Sequence, residues 1–197
     1  MSMYQAVMAT PLGRVGIRMA GDAVSALDYL AADTPEQPPT DVATAAVVAQ
    51  LEAYFRDSRY QFTVPLAPGG TAFQQRAWAA LQAIPAGTVL TYGELAQKLD
   101  TAARAIGGAC RNNPIPILIP CHRVVGRQGL GGYTGALTGD PLGIKRWLLR
   151  HEGVETPLAV PHDCRSAQGN PWFSGRGAAT AAPGRSFPVF PQGSLPP

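Results

Sequence analysis

Hydrophobic and polar positions in the first part of the chain alternate in a way that predicts a small antiparallel sheet. A short apolar stretch spans residues 4–8, residues 15–19 alternate as a half-buried strand does, and an apolar pattern resumes over residues 24–30. Turn residues separate the three stretches. Apolar residues then recur at helical spacing after Asp41, a favourable N-cap residue, and this predicts a helix from Val42 to about Arg56.

The pattern in the middle of the chain predicts one more strand, Phe62–Leu66, and then three helices. Thr71 caps the first of these helices, which is strongly periodic. Its apolar face consists of Phe73, Ala77, Trp78, Leu81 and Ile84. Thr91 caps the second helix, residues 92–99, where a glutamate three residues on completes a capping box. A short connection leads to the third helix, residues 102–111, so that the last two helices form a helix-turn-helix pattern.

These elements predict an α+β fold with two domains and a tail. A break in the pattern at residues 67–70 separates an N-terminal α/β domain, residues 1–68, from a mainly helical C-terminal domain, residues 70–153. The second domain ends with an amphipathic helix over residues 142–151. Residues 154–197 contain eight prolines and five glycines without periodicity, and we expect this tail to be largely disordered.

Composition is typical of a globular protein that keeps its cysteines reduced. Apolar residues make up 46% of the 197 residues and charged residues 15%, which allows a buried core. No stretch reaches the roughly 18 consecutive apolar residues of a membrane span, and residues 1–8 lack a signal-peptide pattern. The three cysteines form no CxxC pair, and the three histidines are scattered. We therefore expect a cytoplasmic protein with a free thiol and neither a disulfide framework nor a metal site.

Charge is distributed unevenly, although the whole chain carries only +3. Residues 1–69 contain four Lys and Arg residues against seven Asp and Glu residues, a net charge of −3. Residues 70–153 contain nine against four, a net charge of +5. The second segment could therefore face a polyanion, with an ordinary solvated surface as the equally weighted alternative.

The third predicted helix of the basic segment is nearly free of side-chain bulk. Alanine and glycine occupy six of its positions, while Arg104 and Arg111 remain as long side chains. Such a smooth face allows tight packing against a neighbouring helix. It equally suits a helix laid in a groove of DNA with its arginines reaching out. The pattern by itself leaves both interpretations open.

One short segment carries the candidate chemistry. An apolar run ends at Pro120, and Cys121, His122 and Arg123 follow without a gap. An imidazole that accepts the thiol proton produces the nucleophilic thiolate, and a carboxylate such as Glu152 would orient the imidazole. Successive side chains of an extended segment point to opposite faces, so the cysteine and the histidine need a local bend or a bridging water. Taken alone, the pair fits a buried, inert thiol better than a reactive one.

Several ordered motifs resemble those of the O6-alkylguanine-DNA alkyltransferases, the methylated-DNA–protein-cysteine methyltransferases. The run Asn113–Val125 resembles the active-site segment of that family. The other matching segments are residues 92–96, 103–109, 132–135 and 145–153. The resemblance covers residues 71–153 closely, residues 1–66 only in general pattern, and the tail not at all. Several motifs in the right order make it highly specific.

The resemblance implies a DNA repair protein that acts once, a methylated-DNA–protein-cysteine S-methyltransferase. Cys121 would take the alkyl group from O6 of guanine, and also from O4 of thymine, in one irreversible displacement. His122 would act as base through a water, Glu152 would hold His122, and Asn113 would brace the active-site turn. No metal or organic cofactor would be required. The N-terminal sheet and helix would be ribonuclease H-like.

The resemblance also implies how the protein contacts double-stranded DNA. The target base is flipped out of the stack, with Tyr92 assisting and Arg104 filling the gap, and Arg111 and Arg123 would join them in binding DNA. The bare helix would lie in the minor groove, and a monomer would bind largely independently of sequence. The guanine pocket would be lined by Tyr92, Cys110, Pro116, Val124, Tyr133 and Thr134.

Two departures from the family's pattern concern this pocket. The path from Tyr133 to the last helix, through residues 134–141, is longer than in many members, which puts the tolerated size of the alkyl group in question. Cys110 occupies a position where other members often carry another small or apolar residue. We favour a buried, inert Cys110 over a second reactive thiol.

Two other functions are consistent with parts of the sequence. A cysteine hydrolase would use Cys121, His122 and Glu152, but it would also need an oxyanion hole and a turnover cycle. A lesion-binding protein that performs no repair would use the DNA-binding features alone. Relatives of that kind lack the cysteine, and the presence of Cys121 therefore disfavours this alternative.

Overall fold

The N-terminal apolar stretches form a three-stranded antiparallel sheet, as predicted. Strands β1 (Ala6–Thr10), β2 (Gly13–Ala20) and β3 (Ala23–Leu30) lie in the order β1-β2-β3. Tight turns join them, and Gly21, at φ 59°, supplies the left-handed conformation between β2 and β3. The computed structural model describes residues 3–127, 129–133 and 141–154. The predicted disordered tail from residue 155 onward, and Thr134 with its loop, lie outside the described residues.

Helix α1 (Val42–Arg56) begins where the sequence predicts. Asp41 is its N-cap, and the carboxylate accepts a hydrogen bond from the backbone N–H of Thr44 at 2.7 Å. The buried face of α1 consists of Thr44, Val47, Leu51 and Tyr54, which recur at helical spacing. The helix contacts β1, and its buried face delivers Tyr54 into the interior.

The predicted strand over Phe62–Leu66 is wrong. Only an isolated bridge joins Leu66 to Val24. The side chain of Gln50 on α1 binds this segment instead, because its Oε1 accepts from the backbone N–H groups of Thr63 at 2.8 Å and Val64 at 3.3 Å. A side chain thus satisfies backbone groups that a neighbouring strand would otherwise bind.

The remaining described elements are mainly helical. Helices α2 (Ala72–Gln82), α3 (Tyr92–Lys98), α4 (Ala103–Arg111) and α5 (Pro141–His151) follow in chain order. Thr71 and Thr91 cap α2 and α3, each within a complete capping box, as expected. A short parallel pair, β4 (Leu90–Thr91) and β5 (Val124–Val125), lies beside the active-site segment. The fold is therefore α+β, and no described helix is long and apolar enough to cross a membrane.

One apolar core joins the sheet, α1 and the helices that follow. The described residues all belong to one compact unit, Met1–Pro161. Its largest fully buried side chains include Ile17, Leu51, Tyr54, Trp78, Ile106, Ile115, Ile119 and Leu148. The backbone N–H of Leu27 in β3 also donates to the carbonyl of Pro114 at 2.9 Å. The sheet therefore supports the segment that leads to Cys121. The predicted domain boundary near residue 69 stays a prediction.

Candidate active site

The segment before Cys121 folds into a buried turn that Asn113 holds together. The Asn113 Nδ2 group donates to the carbonyl of Ile119 at 2.8 Å and to Cys121 Sγ at 3.2 Å. Asn113 Oδ1 accepts from the backbone N–H of Ile115 at 3.0 Å. Within the turn Ile117 adopts φ 75°, a conformation that costs a β-branched residue about 1–3 kcal/mol. The amide of Asn113 thus connects both ends of a strained turn to the sulfur.

Cys121 begins a short 3₁₀ helix, residues 121–123, instead of continuing an extended strand. Pro120 precedes this helix, and the resulting bend removes the expected placement of successive side chains on opposite faces. Cys121 is only 3% exposed. Burial raises the pKa of its thiol, while the hydrogen bond from Asn113 and the charge of Lys145 oppose this rise. The resting sulfur is therefore a thiol, and its activation requires a base.

His122 and Glu152 form a buried pair behind the cysteine. His122 Nε2 and Glu152 Oε1 are 2.9 Å apart, and both side chains are fully buried. Burial lowers the pKa of His122, although the hydrogen bond to Glu152 opposes this. A neutral imidazole that donates from Nε2 to the carboxylate leaves Nδ1 as an acceptor. Nδ1 is buried and has no hydrogen-bond partner among the described residues.

Arg123, which the resemblance assigns to DNA binding, holds the same carboxylate inside the protein. Its Nε donates to Glu152 Oε2 at 2.9 Å and its Nη2 to Oε1 at 2.8 Å, while Nη1 donates to the carbonyl of Ile84. Burial acts to raise the pKa of Glu152, but hydrogen bonds from His122 and Arg123 lower it to about 2. Glu152 is therefore an ionised partner for the imidazole. The position of Arg123 does not support the predicted role in DNA binding, because an internal ion pair occupies its guanidinium.

Two residues that the sequence analysis passed over also contribute hydrogen bonds at this site. Tyr54 of α1 donates its hydroxyl to Glu152 Oε1 at 2.8 Å. Lys145 of α5 is fully buried and donates to the carbonyls of Val124 at 2.6 Å, Leu130 at 2.6 Å and Gly132 at 3.2 Å. Helical spacing of apolar residues placed Tyr54 on the apolar face of α1, but it indicated neither the burial of Lys145 nor the partners of either residue.

A cavity of about 420 Å³ opens beside Cys121. Its described lining consists of Tyr92, Ala103, Arg104, Gly107, Cys110, Arg111, Cys121, Gly132 and Tyr133. The structure therefore brings together Tyr92, Cys110 and Tyr133 of the predicted pocket. Pro116 and Val124 are buried but are not part of this lining, because Pro116 belongs to the turn and the Val124 carbonyl binds Lys145.

Hydroxyl groups tie the wall of the cavity to the rest of the protein. The hydroxyls of Tyr133 and Tyr29, a β3 residue, are 3.0 Å apart in a buried contact. The hydroxyl of Tyr92 donates to the carbonyl of Gly132 at 3.1 Å, and Lys145 Nζ lies 5.7 Å from the Tyr92 ring centre.

Burial raises the pKa of Cys110 to about 12, with a smaller contribution from Cys121. Cys110 is accordingly a neutral thiol in the wall.

The exposed face of α4 borders the cavity. Arg104, Gly107, Gly108 and Arg111 follow one another at helical spacing and form one stripe. Ile106, Ala109 and Cys110 are buried on the other side. A Cβ atom added at either glycine would meet nothing within 4 Å. Tight packing within the described protein therefore does not require these glycines. The open space at these positions favours the interpretation that α4 binds in a groove of DNA.

Comparisons with known proteins define the class. Residues 72–154 match the sequence model described as 6-O-methylguanine DNA methyltransferase, DNA binding domain. The methylated-DNA–protein-cysteine methyltransferase of Methanosarcina acetivorans is 36% identical over 159 residues, which cover 77% of this chain and 99% of that protein. The protein of the same name from Shigella flexneri is 51% identical over 94 residues, 46% of this chain and 52% of its own. The match to this second relative thus spans about half its length.

Solved structures of similar proteins support the same family assignment. The Mycobacterium tuberculosis O6-methylguanine methyltransferase is 37% identical, with a TM-score of 0.62, over 77% of this chain and 93% of that chain. A Mycobacterium tuberculosis OGT in complex with DNA is 38% identical, with a TM-score of 0.64, over 74% of this chain and 90% of that one. The chain is therefore a member of the methylated-DNA–protein-cysteine methyltransferase family.

Among the described residues, no group of three or more His, Cys, Asp or Glu side chains could hold a metal ion. The side chains that converge at Cys121 are a carboxamide, an imidazole, a carboxylate and two cations. They can brace a sulfur and accept its proton.

Proposed function

We propose that the protein repairs O6-alkylguanine in DNA by transferring the alkyl group to its own Cys121. The observation that carries this proposal is a buried cysteine that Asn113 braces, that directly precedes His122 of the His122–Glu152 pair, and that lines a cavity bordered by α4. In the step, the sulfur attacks the alkyl carbon and a carbon–sulfur bond forms. The bond between that carbon and O6 breaks, and its electron pair stays with the guanine.

The thiol proton goes to His122 Nδ1 through a water. Support comes from the unpartnered, buried Nδ1 and from the ionised Glu152, which stabilises the imidazolium that forms. The departing guanine takes up one proton, so charge and atoms balance. The product is a thioether, a poor leaving group, and each molecule therefore acts once. The transfer requires neither a metal nor an organic cofactor.

DNA binding is assigned to the stripe on α4. Helices α3 and α4 act as a helix-turn-helix unit that lays α4 in the minor groove, where Gly107 and Gly108 permit close approach. Arg104 fills the gap left by the flipped base, and Arg111 binds the backbone. Such contacts are largely independent of sequence and sensitive to salt. We further propose that the protein binds DNA as a monomer.

The flipped base enters the cavity lined by Tyr92, Cys110 and Tyr133. Thr134 stays a predicted pocket residue outside the described range. O4-alkylthymine remains a predicted second substrate. A cytoplasmic location and a ribonuclease H-like N-terminal part likewise remain expectations from the sequence.

The decisive experiment incubates the protein with duplex DNA that carries O6-methylguanine. We expect the Cys121 peptide to gain the mass of one methylene group, at no more than one transfer per protein molecule. Cys121→Ala should lose transfer and keep binding to the lesion, while Cys164→Ala, the cysteine control in the tail, should keep transfer.

Three outcomes would contradict the proposal. Repeated turnover of an ester or amide without an alkylated peptide would indicate a cysteine hydrolase. Binding of the lesion by the unaltered protein with no transfer would indicate a lesion-binding protein. Normal transfer by Cys121→Ala would show that another residue accepts the alkyl group.

A further inference from the structure

Helix α1 places one polar group in the site that the transfer chemistry above does not use, the hydroxyl of Tyr54. It donates to Glu152 Oε1 at 2.8 Å across 98 positions of sequence. The same oxygen lies 2.9 Å from His122 Nε2 and 2.8 Å from Arg123 Nη2. Three donors from two distant parts of the chain therefore converge on the oxygen that holds the imidazole.

Ring packing explains the aromatic character of Tyr54 but not its hydroxyl. The Tyr54 ring centre lies 5.3 Å from that of Phe62 and 5.2 Å from that of His151. A phenylalanine would make the same ring contacts. A buried hydroxyl requires a hydrogen-bond partner, and here the partner is the ionised carboxylate of the site. The hydroxyl is thus a separate feature that packing does not demand.

A hydrogen bond from the end of α5 fixes the backbone of Tyr54. His151 Nε2, at the end of α5, donates to the Tyr54 carbonyl at 2.8 Å. Glu152 is the next residue along the chain, so α1 holds adjacent residues at two points. Burial, and then the charge of Glu152, raise the pKa of Tyr54 far above its usual range. The phenol is therefore protonated near neutral pH and can donate to the carboxylate.

The titratable groups around Glu152 come from several elements. Tyr54 faces it from α1, and His122 and Arg123 face it from the 3₁₀ helix. The backbone N–H of Gly87 also points at Oε2, at 3.4 Å. Lys145 of α5 acts on His122 through its charge, and the His151 ring lies against Tyr54. Among the described side chains, Tyr54 and His122 are the two that donate a neutral hydrogen bond to Oε1.

We propose that Tyr54 is a positioning residue for alkyl transfer: its hydroxyl fixes the Glu152 carboxylate so that His122 keeps its proton on Nε2 and presents Nδ1 as the base. This inference rests on the proposed function. A third donor on Oε1 restricts rotation of the carboxylate and shares its negative charge. The N-terminal part of the chain thereby takes part in the chemistry through one oxygen atom.

The test compares single-turnover transfer by the unaltered protein, Tyr54→Phe and Tyr60→Phe across a range of pH. Tyr60→Phe is the matched control, because Tyr60 packs on Phe62 in the same aromatic cluster and is 37% exposed. We expect Tyr54→Phe to react roughly tenfold more slowly, a partial loss of the contribution of general-base catalysis. Tyr60→Phe should react at the unaltered rate.

The pH profile separates positioning from a structural defect. Without the hydrogen bond from the phenol, the negative charge of Glu152 acts more strongly on His122 and raises the pKa of the imidazole. The acid limb of the rate profile should therefore move to higher pH in Tyr54→Phe, whereas a structural defect would lower the rate equally at each pH. An unchanged rate and an unchanged acid limb would overturn the inference.

A double-mutant cycle tests whether Tyr54 acts through Glu152. In a Glu152→Gln background, Tyr54→Phe should cause no further loss of rate, and a full additional loss would overturn the inference. If Tyr54→Phe fails to fold, 3-fluorotyrosine at position 54 keeps the ring and strengthens the donor. It should move the acid limb to lower pH, and an unmoved limb would count against Tyr54. Failure of the unaltered protein to alkylate Cys121 would instead refute the proposed function.

Discussion

The ammonium group of Lys145 lies inside the protein and donates to three backbone carbonyls. These carbonyls belong to β5 and to the loop that carries the cavity wall. Within the described part of the chain no carboxylate forms an ion pair with Lys145, and burial lowers the pKa of Lys145 to about 8. A single side chain therefore connects two backbone segments near Cys121, and the buried charge has an energetic cost.

The first residue-scale prediction concerns stability and pH. Between about pH 8 and 10.5 the unfolded chain keeps the Lys145 proton and the folded protein releases it, so the unfolded state binds more protons and stability rises with pH. Relative to Lys145→Met, the free energy of unfolding of the unaltered protein should rise by roughly 2 kcal/mol over that interval. Urea denaturation at several pH values measures it. The exposed Lys98→Met is the control and should show no such difference.

Residue roles could be predicted from the sequence only where a motif carried them. The resemblance singled out Asn113, Cys121, His122 and Glu152, and the structure brings these four together. It gave no indication of Tyr54 or Lys145, because hydrogen bonds inside the core join residues far apart in sequence and leave no local pattern. It also implied that Arg123 binds DNA, whereas the buried carboxylate of Glu152 binds that guanidinium.

At the scale of elements, α4 combines a weak helix sequence with an open surface. Glycine costs about 1 kcal/mol relative to alanine within a helix, and α4 contains two adjacent glycines. No described neighbour requires their small size. The two glycines therefore lower the stability of the helix and leave a surface that another molecule can approach closely.

Gly108→Ala should consequently change stability and DNA binding in opposite directions. We expect the free energy of unfolding to rise by about 0.5–1 kcal/mol, and affinity for duplex DNA to fall severalfold, because the added methyl group stands between helix and groove. Chemical denaturation and fluorescence anisotropy measure the two effects. Gly93→Ala, an exposed helix position in α3 with room for a Cβ atom, should retain DNA affinity. Unchanged DNA affinity of Gly108→Ala would argue against α4 as the groove-binding element.

Helix starts that carry a capping residue were predicted correctly, whereas the segment 62–66, whose hydrogen-bond partner is distant in sequence, was not. The caps at Asp41, Thr71 and Thr91 all lie where the sequence indicated, because capping depends on residues only three positions apart. The segment 62–66 has strand-like composition but takes its hydrogen bonds from the Gln50 side chain. A partner thirteen positions away has no signature in the pattern of apolar residues.

In the whole molecule, one apolar core extends across the predicted domain boundary near residue 69. Buried residues of β3, α1, α2, the active-site segment and α5 belong to one apolar cluster. The contacts of Leu27 with Pro114, Tyr29 with Tyr133 and Tyr54 with Glu152 cross the same boundary. Separation of the two parts would therefore expose apolar surface and leave buried polar groups unpaired.

We accordingly expect cooperative unfolding of the two parts. Far-UV circular dichroism and tryptophan fluorescence should give coincident denaturation curves, as for a single two-state unit. A fragment of residues 70–154 alone should be much less stable than the full chain. Two separate transitions, or a fragment with the stability of the intact protein, would contradict this expectation and favour independent domains.

The paired hydroxyls of Tyr29 and Tyr133 have a consequence for the cavity that Tyr133 lines. Two hydroxyl groups hold two hydrogens, but one hydrogen bond between them uses only one. Either oxygen can be the donor, so rotation of two O–H bonds reverses the local dipole while every heavy atom stays in place. The polarity of the hydroxyl pair behind the cavity wall can therefore reverse without any rearrangement of the fold.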